Sequence, residues 1–396
     1  MKPVWLRIAV PTIVCFIVAT CFSKVSRAEE LLPEVQQALT HDLNELMPIS
    51  LEWERSRKHV ESEEATLKRM GYVAIKAGEL KPYKAQLLCD KDRYYCRIWR
   101  SSVNISKVFA DGRMELDKEN PFRITEDEAS FDGEICYLGN SLELAKATGG
   151  IPMLRKAPLA KTVEDNPNHW YFVTDYLTWA GYDVPHSPSE IQNGVRSRVL
   201  VDLALGTLVS QEVNPNAVKM TIMIGDNTVN YELSPEKHYA VVARTERTKN
   251  GEIATSSRCQ QFVQLGTRSV WLPEKISVDF HTWESAPGVY HQQPILTEEY
   301  EIRSWDVAPI EQSRFVLNYS VPGAAISDAV VKGAEKFKSG YVDYKVPADP
   351  KDLDAAVQQA LSGGVPKIGV SKVLLIVNLI VLAAIGAFVW MKYGAR

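Results

Sequence analysis

The sequence predicts a mainly β protein of the α+β class, and three observations carry that expectation. Between Val218 and Tyr319, apolar and polar residues alternate in long runs. Val218, Met220, Ile222 and Ile224 share one face, as do Val229, Tyr231 and Leu233, and as do Ile276, Val278 and Phe280. A period of two is the mark of a pleated strand with one face turned from water. The joins carry turn chemistry, Gly225-Asp226-Asn227 and then Lys249-Asn250-Gly251, as an antiparallel meander requires. Helical periodicity is confined to a few short stretches.

The chain of 396 residues opens on a basic start, Lys2 and Arg7. An apolar run from Ile8 to Phe22 and a small-x-small site at Ser26-Arg27-Ala28 follow. This is the pattern of a secretory signal peptide over residues 1–28. Without its four basic residues the chain carries 41 basic against 49 acidic residues, a net charge of −8. A mildly acidic chain without basic runs excludes nucleic acid as the expected partner.

The stretch from Glu30 to Pro48 follows with Leu32, Val35, Leu39, Leu43 and Leu46 at helical spacing, and Pro48 stops it. Ile49, Leu51 and Trp53 alternate against Ser50, Glu52 and Glu54 to give a first strand. AQLLCD and RYYCRIWRS bracket Lys91-Asp92 as a hairpin, and ASFD and EICYLGN bracket Asp132-Gly133 as another. Gly149 to Lys161 reads as irregular. Asn166, Pro167 and Gly181 frame a helix that is apolar nearly all round, with Trp170, Tyr171, Phe172, Tyr176, Leu177 and Trp179. A shorter helix is expected over residues 195–205 before the meander.

Phe315, Val316 and Leu317 read as the last strand. Residues 327–369 read as a polar stalk with a short amphipathic helix over 350–361, started by Asp349 and Pro350. Residues 370–391 read as a transmembrane helix, because the nineteen residues from Val373 to Met391 are almost wholly apolar. At helical rise they span ~28 Å, enough to cross a bilayer core. Residues 392–396 are left as a cytoplasmic tail. With the signal peptide, this places a single-pass protein in the cell inner membrane, its body exported. Asn378 and the Ala383-x-x-x-Ala387 spacing suit a partner protein within the membrane.

The order of parts resembles a known family. Trp271-Leu272-Pro273 stands before a strand, and Phe315-Val316-Leu317 is followed by Pro322-Gly323. With the N-terminal helix, hairpins and mid-chain helices, the rhythm over residues 29–326 is similar to the LolA-like lipoprotein-carrier superfamily. The resemblance implies an antiparallel half-barrel sheet of about eleven strands, with mid-chain helices as a lid. It also implies a lipid or lipoprotein acyl chain as ligand. A C-terminal span is a departure from the soluble carriers of that family and suits a tethered receiver, sensor or scaffold.

No cofactor is expected, and catalysis is not. His41, His59, His169, His186, His238, His281 and His291 are scattered without an HxxxH or HExxH spacing, so no metal site is expected from them. The sequence has no GxSxG and no glycine-rich phosphate loop. The expected ligand-binding residues are the aromatics of an apolar cavity: Trp53, Trp99, Trp170, Phe172, Trp179 and Phe280. Cys89 and Cys96 are a candidate disulfide across the first hairpin. A two-residue turn at Lys91-Asp92 would instead place Cys89 opposite Tyr94. The rival function is a structural or protein-interaction ectodomain, or an envelope sensor, whose interior is filled by its own side chains.

Overall fold

The computed structural model describes residues 31–59, 83–103, 105–108, 114–116, 122–140, 145, 150–164, 174–282 and 288–363. The signal segment, the span 370–391 and the tail lie outside them. Among the described residues, no helix is long and apolar enough to cross a membrane.

Fifteen strands form one sheet. In chain order these are β1 (Ile49–His59), β2 (Tyr83–Asp90), β3 (Arg93–Val103), β4 (Phe122–Phe131), β5 (Ile135–Asn140) and β6 (Met153–Pro158). The meander supplies β7 (Thr207–Asn214), β8 (Ala217–Ile224), β9 (Asn227–Ser234), β10 (Ala240–Arg247), β11 (Ile253–Gln264), β12 (Trp271–Phe280) and β13 (Leu296–Asp306). The last two are β14 (Ala325–Asp328) and β15 (Val342–Lys345). Their spatial order is β7-β8-β9-β10-β11-β12-β13-β1-β2-β3-β4-β5-β6-β14-β15. Every pairing is antiparallel except β14 beside β6. The predicted hairpins form as read, with Ile224 opposite Asn227 and Asp90 opposite Arg93. Gly225 and Gly251 take positive φ in their turns, which glycine does without a Cβ penalty.

Opposite residues in an antiparallel sheet point to the same face, so register sorts the side chains. One face carries Ile49, Leu51 and Trp53 of β1, with Cys89, Leu87 and Ala85 opposite them on β2. Tyr94, Cys96 and Ile98 of β3 follow. This face is covered by helices. Helix α1 (Pro33–Leu46) lays Val35 and Leu39 on the meander and Leu46 on β1, so one stripe bridges two parts of the core. Helix α2 (Leu159–Glu164), α3 (Asp175–Trp179) and α4 (Arg198–Leu205) complete the cover.

The strongest plug is on α3. Tyr176 and Leu177 are fully buried in the same cluster as Trp53. The Tyr176 ring lies 5.8 Å from Trp53, and its hydroxyl donates to the Pro273 carbonyl at 2.5 Å.

Three expectations are corrected. Phe315 to Leu317 is not a strand. A 3-10 turn over Gln312–Phe315 drops Phe315 onto Leu88 and Tyr95 of the outer face. Tyr319 then donates to Glu128, and the strap it belongs to covers that face of the hairpins. Gly139 is needed beneath it, since a Cβ there would lie 2.5 Å from the Tyr319 hydroxyl.

Residues 327–363 are not a stalk. β14 and β15 extend the sheet, and helix α5 (Leu353–Leu361) packs on β15 through Val342, Ala360 and Leu361. These strands are four residues each, too short for alternation to stand out against their polar neighbours. Within the stretch expected to be irregular, Met153–Pro158 is β6 and Leu159 begins α2.

Trp53→Ala removes a side chain that is 1% exposed at the centre of the core. It is expected to cost about 3–5 kcal/mol, read from the urea midpoint. Tyr176→Phe keeps the ring and loses only the hydroxyl bond. It is expected to cost about 1 kcal/mol in the same assay.

Candidate functional site

The expected cavity residues divide by face and by place. Trp53, Trp179 and Phe280 come together on the covered face. Trp179 meets Phe280 edge-on at 6.0 Å, and both pack against the cluster that holds Trp53. Trp53 is buried, and Trp179 and Phe280 are partly buried against its cluster. Trp170 and Phe172 lie outside the described residues.

Trp99 is on the wrong face. Lys84 and Glu126 flank it across the sheet, the row of Trp53 runs instead through Ala85 and Ile98, and the Arg97 guanidinium sits 4.8 Å over its ring. Its neighbours are charged, so Trp99 is removed from the cavity set.

The disulfide is also corrected. Cys89 and Cys96 are buried thiols with no bridge between them. The two-residue turn sets Cys89 opposite Tyr94 and Leu87 opposite Cys96, a diagonal rather than a facing pair.

Beside the plug, the covered face turns polar. Arg55 donates to Asp175 at 2.9 Å and stands 3.8 Å from Glu298, with its guanidinium 4.2 Å from the centre of the Tyr83 ring. Glu298 accepts from Arg57 at 2.7 Å and from the Tyr300 hydroxyl at 2.6 Å. Burial pushes the Asp175 carboxyl above its ordinary value, and Arg55 opposes that rise. Asp175, Tyr300 and Glu298 hold Arg55 above its own ordinary value in spite of burial. Trp53 Nε1, Arg55 Nε and Ser257 Oγ have no hydrogen-bond partner among the described residues. The network is a part-buried charge cluster that ties α3 to β1 and β13.

The open space lies further along the same face. A hollow of about 480 Å³ sits over β3, β4, β5, β6 and β14. Its floor is Ile98, Ala129 and Leu138, with Met153 and Ala325 at its side. Asp127 and Asn140 continue the row of Trp53 through Ile98, so the hollow is the continuation of the covered face beyond its helices. Two cations stand at it, Arg100 and Arg155. Arg100 donates to Asp127 at 2.8 Å, and Arg155 lies 5.2 Å from the Tyr341 ring centre. Nothing in the aromatic pattern marks this place, because small residues make it. The signal within reach was Ala129 and Ala325 at inward positions of their strands.

A second grouping was hidden by distance along the chain. His41 and Asp42 of α1 meet His238, which follows β9.

The register defines a mainly β protein built on one large sheet, with α1 to α4 on one face and α5 packed through Val342 on the other. No protein-family profile matches the sequence, and no curated protein matches it. Among solved structures, the chain is similar to a LolA superfamily protein from Nitrosomonas europaea. The match has 8% identity and a TM-score of 0.34, over 72% of this chain and 98% of that one. It is similar to a structure described as an outer membrane lipoprotein-sorting protein domain from Vibrio parahaemolyticus, at 10% identity and a TM-score of 0.35, over 71% and 94%. A DUF1329 family protein from Desulfovibrio piger gives 10%, 0.33, 72% and 95%. The fold described above stands on its own register.

Arg55→Met takes from Asp175 its cation, while Glu298 keeps Arg57 and Tyr300. A broken buried pair costs about 3–5 kcal/mol. Losing the cation raises the folded-state pKa of Asp175 further, so the loss is expected to be larger at pH 8 than at pH 5. Urea unfolding at both values checks the sign.

Proposed function

We propose that the chain is a non-catalytic, extracytoplasmic binding protein for an acyl chain, carried by a lipid or a lipoprotein and held at the membrane by the C-terminal apolar segment. The observation that carries this is the hollow of about 480 Å³ on the covered face. Its size falls in the range of small-molecule sites, which are mostly apolar with a few placed polar groups. Ile98, Ala129, Leu138 and Met153 offer an apolar bed, and Arg100 and Arg155 stand where an acyl chain's polar end would lie. The polar groups of the hollow are committed to structure: Arg100 to Asp127, and Asn140 to the backbone of Ile151 and Met153. That favours holding a ligand over transforming it. The leader and the span of the sequence, and its LolA-like rhythm, point to the same class of ligand and the same side of the membrane.

Ala129→Phe and Ala325→Phe each push a ring into the hollow. Lipid retained per folded molecule of purified protein, read by mass spectrometry, is expected to fall several-fold in both. Trp53→Ala is the contrast, with lower stability but unchanged lipid per folded molecule. Wild-type protein that retains no lipid, or retention that ignores both ring insertions, leaves the scaffold reading in its place.

A further inference from the structure

We propose that His41, Asp42 and His238 form a binding site for a zinc-class divalent cation, at the junction of helix α1 with the turn between β9 and β10. One donor atom from each residue lies within 4.8 Å of the other two. Two imidazoles and a carboxylate are the donor set that zinc and its first-row neighbours take.

The site is built from two directions. Helix α1 presents His41 and Asp42, and its C-terminal end is pinned. Arg268 donates to the carbonyls of Glu45 at 2.8 Å and Pro48 at 3.1 Å, and to Val307 at 3.0 Å. Glu45 accepts from the Ser269 amide at 2.6 Å and keeps its other oxygen 3.7 Å from His41 Nε2.

The opposite side is a turn. His238 and Tyr239 are consecutive non-glycine residues at φ 53° and 63°. Side chains with a Cβ pay for that conformation, and such strain collects at functional sites. Here it delivers the His238 ring to Asp42, Nδ1 to Oδ1 at 2.5 Å, and sets it edge-on to His41 at 5.8 Å.

The charge balance fits a cation. Asp42 is 5% exposed. A hydrogen bond to one imidazole leaves that buried carboxylate poorly compensated, and a divalent ion would compensate it. Tetrahedral zinc holds its donors about 3.3 Å apart. To reach it, the 2.5 Å contact of Asp42 with His238 widens as an ion replaces the hydrogen bond, and His41, whose side chain is 51% exposed, rotates inward. The same exposure gives an ion its entry path and leaves a further coordination position to water.

The test uses the full chain in a mild detergent, stripped with chelator and then titrated with Zn²⁺ by calorimetry and with Co²⁺ by visible absorption. One ion per chain at about micromolar affinity is expected, with the ligand-field band of tetrahedral Co²⁺. His41→Ala changes a half-exposed side chain, and His238→Asn keeps a residue that tolerates positive φ. Each is expected to weaken Zn²⁺ at least tenfold and to abolish the Co²⁺ band. Zn²⁺ should raise the melting temperature of the wild type and not of His41→Ala. Binding no tighter than millimolar, or binding that both folded variants retain through the other histidines, overturns the site.

Discussion

The seam between β1 and β13 is the constraint on which the rest of the structure depends. The meander from β7 to β13 and the group from β2 to β6 share no pairing of their own; both reach the sheet through β1. Its partners lie on either side, Ala85 and Ile302 flanking Trp53, and Tyr83 and Tyr300 flanking Arg55. The seam joins residues some 250 positions apart, such as Arg303 to Glu54, separated by 249. Loop closure makes such a contact slow to form. Once it forms, every apolar residue on the covered face belongs to one continuous surface. A bulge between Glu52 and Trp53 sits in this seam, where extra twist lets one strand serve two neighbours.

That surface is used in two ways, and side-chain size separates them. Where Trp53, Tyr94 and Tyr176 point inward, the helices close down and the interior is full. Where Ala129 and Ala325 point inward, the same face has room left over. An interior cannot be rigidly packed and hollow at one place. The molecule keeps its aromatic mass near the seam, where stability is needed, and its small residues toward the β14 end. The charge cluster of Arg55, Asp175 and Glu298 stands beside the packed part, bonded into it.

The sheet was legible because alternation and turn residues are local signals. Val218 to Leu233 shows both, and its register follows from the Gly225-Asp226 turn alone. What could not be read were facts that live between strands. Trp53 and Trp99 look alike in sequence, yet the hairpin register puts Ile98 and not Trp99 in the row of Trp53. The same arithmetic, run from Lys91-Asp92, separates Cys89 from Cys96. β14 and β15 were lost because four residues give alternation nothing to repeat. The hollow was lost because alanine marks an absence of side chain, to which a search for aromatics is blind. His238 and Asp42 are 196 residues apart, and no spacing rule spans that distance.

The cysteines of the covered face have a consequence of a different kind. Cys89, Cys136 and Cys259 are buried in the main cluster. Burial pushes Cys136 and Cys259 to about 12, and Cys89 well above its ordinary value. A thiol that does not ionise is a poor nucleophile, and one shut from solvent meets no reagent. In the native state these sulfurs are therefore chemically silent, and they acquire reactivity only when the strands that hide them separate. Because they sit on β2, β5 and β11, they lie on both sides of β1. Their rates of alkylation would act as three separate clocks of how often each part of the sheet comes open.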